Sequence, residues 1–405
     1  MNRVIERAPS ESAAKMLAAL IAHGPQSRPE MSKATGMSKQ TVSLAIAELE
    51  EAGLVAASAT QQGQFGRSAA VYDVAPTAGW LLGIDMGSTH IRVAASTLTG
   101  TLILEREHAV PDAPNRANAD MAAEAGAVIA DVIRELEPQH GPLHAACLAL
   151  SRAVAELRDW QIAPPAGLAA GDLPQIVAEL GIPPHVPVYA ENNVNCAAVG
   201  EFRHGCAVDR TDIAYLQVGV GLGAGIIADG HVLRGAAGQG GELRKLPLPF
   251  LGTVGGRQGS QDLLSASGLI DLYNASRGDE GGSDARSSSE VFRRAQDGLP
   301  HARAAIANEA RGLAFLAAVL VATASPTLVI VGGGMGRNAD LLPLIDEIAQ
   351  QWQLATPIRH GDLGEAATVA GAAAIASEQF LMGLLGAHAT SAISGYRSRW
   401  SISST

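Results

Sequence analysis

Between Glu11 and His23 the apolar residues Ala14, Leu17, Leu20 and Ile21 recur at three- and four-residue spacing, which predicts a helix that Gly24-Pro25 ends. Arg28 to Ala34 predicts a short second helix with Ser27 as its N-cap, and Thr35-Gly36-Met37 turns the chain. Ser38 then caps a third helix, with Val42, Ala45, Ile46 and Leu49 on one face and Gly53 at its end. Leu54 to Ala59 and Ala69 to Val74 read as two strands around the polar turn Gln61 to Arg67. Three helices followed by a hairpin is the order of a winged helix-turn-helix.

Beyond Ala75-Pro76 the pattern changes to short apolar strands alternating with Ala-rich helices, the signature of an α/β body. Strands are expected at Gly79 to Met86, Ile91 to Ser96, Ala145 to Leu150, Val186 to Ala190, Ile213 to Gln217, Gly223 to Ile227 and Thr327 to Val331, and helices at Ala122 to Glu135 and Ala304 to Ala324. Asn274 to Glu290 reads as a loop, and the Ser-rich segment from His388 to Thr405 as a mobile tail. No short-period repeat is visible. The expected division is a DNA-binding domain over 1–76, a body over 77–387 and a tail over 388–405.

Composition narrows the picture. A chain of 405 residues with 47% hydrophobic and 17% charged residues is globular and holds more than one domain. No stretch approaches the roughly 18 uninterrupted apolar residues of a membrane span, and Met1 to Ser10 has no apolar signal core behind it, so a cytoplasmic protein with no membrane partner is expected. The three cysteines, Cys147, Cys196 and Cys206, form no CxxC pair, so neither a disulfide framework nor a metal cluster is expected. Residues 1–76 carry seven Lys or Arg against seven Asp or Glu, which leaves the entire net charge of −11 to the body.

A helix-turn-helix lays its last helix in the major groove of DNA, with the residues near that helix's N-terminus meeting base edges and phosphates. Here those are Ser38, Lys39, Gln40, Thr41 and Ser43, and Arg67 on the wing is placed for the minor groove. The competing reading is a small protein-interaction module, because the segment has no net charge. In the body, Asp85, Gly87, Ser88 and Thr89 stand on a strand-to-turn junction suited to phosphate and its metal. Gly219, Gly221 and Gly223 form a second glycine turn beyond a strand, and Gly332, Gly333 and Gly334 a third. For each one singly, a plain hairpin or strand-helix turn is the alternative.

On these motifs the chain resembles the ROK family of repressors and sugar kinases, and within it regulators of the xylose and N-acetylglucosamine type. The front does so in RPEMSKATGMSKQTVSLAIAELEEAGLV and FGRSAAVY, the body in LGIDMGSTHIRVA, AENNVNCAAVGE, GVGLGAGII, LRGAAGQGGE and IVGGGMGRN. The resemblance implies a winged helix-turn-helix followed by a two-lobed actin-like, hexokinase-like α/β fold, a sugar site holding Glu191, Asn192, Asn193, Glu242 and Lys245, and homodimers or homotetramers. It also exposes departures. Where the family's kinases carry the Asp that deprotonates the sugar hydroxyl, this chain has Asn193, and an amide cannot take that proton, so no catalytic residue is expected. Val220 replaces the usual phosphate-binding Thr, and Glu-x-Gly-His becomes Glu242-Leu243-Arg244-Lys245, which removes the family's zinc-binding His. The cysteine cluster is replaced by LGTVGGRQGSQDL over 251–263, so neither metal nor cofactor is expected. Arg244 and Lys245 make their segment locally positive, which favours an anionic effector.

The leading expectation is therefore a transcriptional regulator, a repressor that binds double-stranded operator DNA, with a sugar-kinase-like body that senses a sugar or sugar-derived effector and is not an enzyme. The alternatives are a sugar kinase with a DNA-binding appendage and a ligand-independent oligomerisation scaffold, in which Glu191, Asn192 and Glu242 serve as structural polar groups.

Overall fold

The computed structural model describes residues 8–62, 68–87, 90–110, 118–151, 173–251, 259–277 and 283–394. The chain forms two compact units, one made of residues 1–150, 157–191 and 369–405, the other of residues 151–156 and 192–368.

The first unit opens with α1 (Glu11–His23), β1 (Gln26–Ser27), α2 (Arg28–Thr35) and α3 (Lys39–Glu51). Each helix is defined by its cap. Ser10 caps α1 by accepting the Ala13 N–H, and Ser38 caps α3 by accepting the Thr41 N–H. At α2 the Ser27 hydroxyl and N–H both donate to the Glu30 carboxylate, bonds that hold the Glu30 pKa below its usual value. Gly36, at φ +72°, adopts the left-handed conformation that ends α2. Val42, Ala45, Ile46 and Leu49 are all buried, as the helical period predicts. β2 (Val55–Gln62) and β3 (Ser68–Val74) form an antiparallel hairpin with a register shift between Ala57 and Ala59, and β1 pairs with β3 on the other side. The expected turn from Gln61 is corrected in part, because Gln61 and Gln62 belong to β2, while 63–67 lie outside the described residues.

The rest of this unit is built on a five-stranded sheet. It holds β4 (Trp80–Met86), β5 (His90–Thr97), β6 (Leu102–Ala109), β7 (Leu143–Leu150) and β8 (Val188–Asn192), with α4 (Asn118–His140) after β6 and α5 (Leu173–Glu179) before β8. The strand order is β6-β5-β4-β7-β8, with β4 antiparallel to β5 and parallel to β7. β7 is buried along its whole length, in keeping with its continuous apolar run.

The second unit begins with α6 (Asn193–His204) and holds β9 (Ile213–Val218), β10 (Leu222–Ala228), β11 (His231–Val232), α7 (Ser260–Leu264), α8 (Ala266–Arg277), α9 (Ser288–Gln296), α10 (Pro300–Ala324), β12 (Val329–Gly332), α11 (Leu341–Gln351) and β13 (Ile358–His360). Its sheet has the order β11-β10-β9-β12-β13, with β9 antiparallel to β10 and parallel to β12. Third, second, first, fourth and fifth strands therefore lie side by side in both units. This structural duplication has no short sequence period behind it.

α12 (Ala367–Leu385) and α13 (Ala389–Ser394) return to the first unit. A Cβ on Gly83 would meet the backbone of Val369 and Ala373, so glycine in β4 lets α12 lie directly on the strand. The mobile tail expected from His388 is corrected: α13 buries Ala392 and Ile393 and packs against α1, while 395–405 lie outside the described residues. The loop expected over Asn274 to Glu290 is also shorter, since α8 runs to Arg277 and α9 starts at Ser288. The Asn274 side chain bonds both backbone groups of Ala285 and holds the described part of that connection in place. Two segments, Pro300–Ala324 and Gly364–Ile393, are by length and mean hydropathy apolar enough to cross a membrane, though neither is an uninterrupted apolar run, and each is more than half buried within the protein along its apolar stretch.

Candidate functional site

In the front module α3, capped by Ser38, is also tied to its neighbours. The Ser10 N–H and hydroxyl both donate to the Glu48 carboxylate at 2.6 Å, which ties the start of α1 to the third turn of α3. Lys15 Nζ donates to the Thr35 carbonyl at 2.9 Å, and the Arg28 guanidinium lies 4.9 Å from the centre of the Tyr72 ring, linking α2 to the hairpin. The face of α3 opposite its buried residues is thereby fixed outward. Gln40 is exposed on it, Lys39 is exposed at the first position of the helix, and Ser43 is half-buried at the edge.

Ser38 and Thr41 meet at the start of α3, Ser38 exposed and Thr41 half-buried. The Ser38 hydroxyl accepts the Thr41 N–H at 3.1 Å and bonds the Thr41 hydroxyl at 2.8 Å, so both side chains are engaged in the cap. Sequence reasoning also passed over Leu44, which is 67% exposed in line with Gln40 and Ala47. A leucine inside an amphipathic repeat reads as core, and only its phase relative to Val42 and Ile46 reveals that it faces outward. Arg67 lies outside the described residues.

In the body of the first unit, Asp85 is the next-to-last residue of β4 and pairs in register with Arg92 of β5. Burial raises its pKa to about 6, and the Arg92 charge works in the opposite direction. The Gly87 N–H donates to the His90 carbonyl at 2.9 Å, closing the turn; Ser88 and Thr89 within it are outside the described residues. Glu191 is fully buried on β8.

In the second unit Asn192 is the N-cap of α6, its amide oxygen accepting the N–H groups of Val194 and Asn195 at 2.9 and 3.2 Å. That oxygen is committed to the helix. Asn193 is half-buried at the first position of α6. Gly219 donates its N–H to the Gly221 carbonyl at 3.0 Å, which makes the second glycine segment the tight hairpin between β9 and β10, with Val220 77% exposed at its tip. The third segment packs against it. Gly333 sits at φ +82° with its Cα against Val218, where a side chain would collide with that residue's carbonyl, and Met335 and Gly336 donate to the same carbonyl. A Cβ on Gly219 would lie 3.5 Å from the Gly334 nitrogen, so two of the three glycine segments are neighbours. The first, with Asp85, belongs to the other unit.

Glu242 pairs with Arg244 through Nε at 2.9 Å, which offsets the positive charge expected of that segment. Lys245 is the last residue of a short 3-10 helix, Leu243–Lys245, and its side chain is not among those described. Among the described residues no group of three or more His, Cys, Asp or Glu is placed to hold a metal ion.

Comparison with known proteins places these features. The ROK family model matches residues 81–379 and the MarR family model residues 10–63. The chain is 27% identical over 241 residues to the xylose repressor of Bacillus spizizenii, an alignment covering 58% of this chain and 60% of that protein. The crystal structure of a ROK family transcriptional regulator, a homologue of the E. coli MLC protein, covers 95% of this chain and 98% of its own with a TM-score of 0.69; at 22% identity this is a likeness of fold. The ROK hexokinase of Thermus thermophilus, at 27% identity and a TM-score of 0.58, covers 73% of this chain and 98% of its own. The body thus has the actin-like, hexokinase-like fold, behind an N-terminal winged helix-turn-helix.

Proposed function

This chain belongs to the ROK family, and we propose that it is a DNA-binding transcriptional repressor whose sugar-kinase-like body senses a sugar or sugar-derived effector. The observation that carries the reading is α3, whose buried face, Ser38 cap and Ser10 to Glu48 tie present Lys39, Gln40 and Ser43 outward together. Gln reads adenine through two hydrogen bonds and Lys supplies phosphate charge. Residues 1–76 form the DNA reader and 77–387 the sensing body. Specificity from so small a module calls for two copies on two-fold related half-sites, hence a homodimer or homotetramer, acting in the cytoplasm.

Relatives of this fold include kinases as well as repressors, and the retained Asp85 keeps a kinase reading in view. Asn193 weighs against it, because the residue at the head of α6 is an amide with no proton-accepting carboxylate. The body accordingly binds its effector without transferring phosphate to it.

A gel-shift titration of the full chain on operator DNA, with and without a panel of sugars, tests the proposal. Tighter binding of operator than of scrambled duplex, released by one sugar class, is expected. Equal affinity for both duplexes defeats the reading.

A further inference from the structure

We infer that Leu44 reads thymine methyl groups in the major groove, so that operator choice depends on thymine and not on hydrogen-bonded bases alone; this rests on the reading of α3 as the DNA reader. Leu44 is 67% exposed and places an apolar side chain on the outward face of α3, one turn after Gln40. On a helix advancing 100° per residue it lies about 200° from the buried Ile46 and within one turn of Gln40, Ser43 and Ala47. The outward stripe is therefore polar, polar, apolar, small.

Charge decides which part of the stripe enters the groove. The first turn of α3 carries Lys39, while its last turns carry Glu48, Glu50 and Glu51, which phosphates repel. Leu44, in the second turn, falls in the half of the helix that DNA accepts. It stands about 6 Å along the axis from Gln40, close to two base-pair steps. A Gln suited to adenine followed at that distance by an apolar side chain suits neighbouring A·T pairs, because the thymine methyl is the apolar feature of the major-groove edge. With zero net charge over residues 1–76, such contacts to base edges carry more of the discrimination than phosphate attraction does.

The test uses the full chain and an operator recovered by selection from random duplexes. Affinity is measured by fluorescence anisotropy on that operator and on versions in which single thymines become deoxyuridine, which removes only the methyl. At one or two positions per half-site the wild type should lose about fourfold, the burial of one methyl group. Leu44→Ala should bind the natural operator more weakly by a similar factor and lose its sensitivity to deoxyuridine at those positions; Leu44→Met should keep it. Unchanged affinity and undiminished sensitivity in Leu44→Ala overturn the inference, as does unchanged affinity with an altered oligomeric state in sedimentation, which assigns Leu44 to a contact between copies. If Lys39→Ala and Gln40→Ala also bind like wild type, the fault lies with the DNA-reading role of α3 itself.

Discussion

The Glu201 carboxylate accepts the backbone N–H of Leu363 at 2.9 Å, joining two residues 162 positions apart. It also accepts the N–H groups of Asp362 at 3.1 Å and Cys206 at 3.0 Å, and the side chain is fully buried. Its nearness also helps push the Cys206 thiol up to about 12, after burial itself. This one carboxylate holds the end of α6 against the loop after β13. Glu201→Ala strands three backbone donors, and with hydrogen bonds to charged groups at about 1.5–3 kcal/mol each, a loss of at least about 3 kcal/mol in urea unfolding is expected. Glu201→Gln, which keeps one acceptor, should fall between. An Ala variant within about 1 kcal/mol of wild type would contradict this account.

Glu309 presents the opposite case. Both of its carboxylate oxygens are buried on α10 without a hydrogen-bond partner among the described residues, and burial raises its pKa well above the usual 4.5. The unfolded chain releases that proton near 4.5 while the folded chain keeps it, so stability falls as pH rises past 4.5 and levels off above the folded value. Replacing Glu309 by the similarly sized Met should therefore stabilise by about 1–3 kcal/mol at pH 8 and less at pH 5. Thermal melts at the two pH values read the difference, and a gain independent of pH would refute its electrostatic origin.

Asp85 follows the same sign over a window that can be named. Its pKa of about 6 against the usual 3.8 means stability is lost as pH rises between those values and is constant above. The difference in Tm between Asp85→Asn and wild type should grow in favour of Asn from pH 4 to 6.5 and then stay flat. A flat difference across the whole range would show that Arg92 offsets the burial completely.

The helix cap and the DNA contacts separate by assay. Ser38→Ala should cost about 1 kcal/mol of stability, because its hydroxyl is held by Thr41. Lys39→Ala should leave stability unchanged, weaken all duplexes alike and lower the slope of affinity against salt by about one ion, whereas Gln40→Ala should relax the preference at one base pair. Salt titrations by anisotropy distinguish the three, and a Lys39→Ala slope equal to wild type would remove that residue from the phosphate contacts.

For phosphoryl transfer the comparison is between wild type and Asn193→Asp in a coupled ADP-release assay over a sugar panel. A general base contributes about 10² to 10⁴ in rate, so the wild type should turn over far more slowly than the roughly one per second at the low end of ordinary enzymes. Activity gained in the Asp variant would show that the base alone had been lost. Ordinary turnover in the wild type would restore the kinase reading.

The front module was legible because its information is local. Ser27 and Ser38, the left-handed glycine at 36 and the spacing of Val42, Ala45, Ile46 and Leu49 each act within a few residues, and the three helices lie where these signals put them. The same holds for β4 and β7, whose apolar runs leave little choice but a buried strand. The sequence alone also determined that Asn stands at 193 and that no soft metal ligands occur over 251–263.

What depends on distant partners was not legible. β1 is only two residues long and exists because Gln26 and Ser27 meet Tyr72 and Val71; β6, polar from Glu105 to His108, pairs along its length with β5; α13 packs against α1. The approach of Gly219 to Gly334, the repeated strand order of the two sheets and the bonds from Asp362 and Leu363 to Glu201 likewise arise only when segments distant in the sequence are brought together. Hydrophobic period and capping specify how a segment folds on itself, whereas the burial and hydrogen bonds that select its neighbours form only in the assembled fold, so tertiary structure alone decided them.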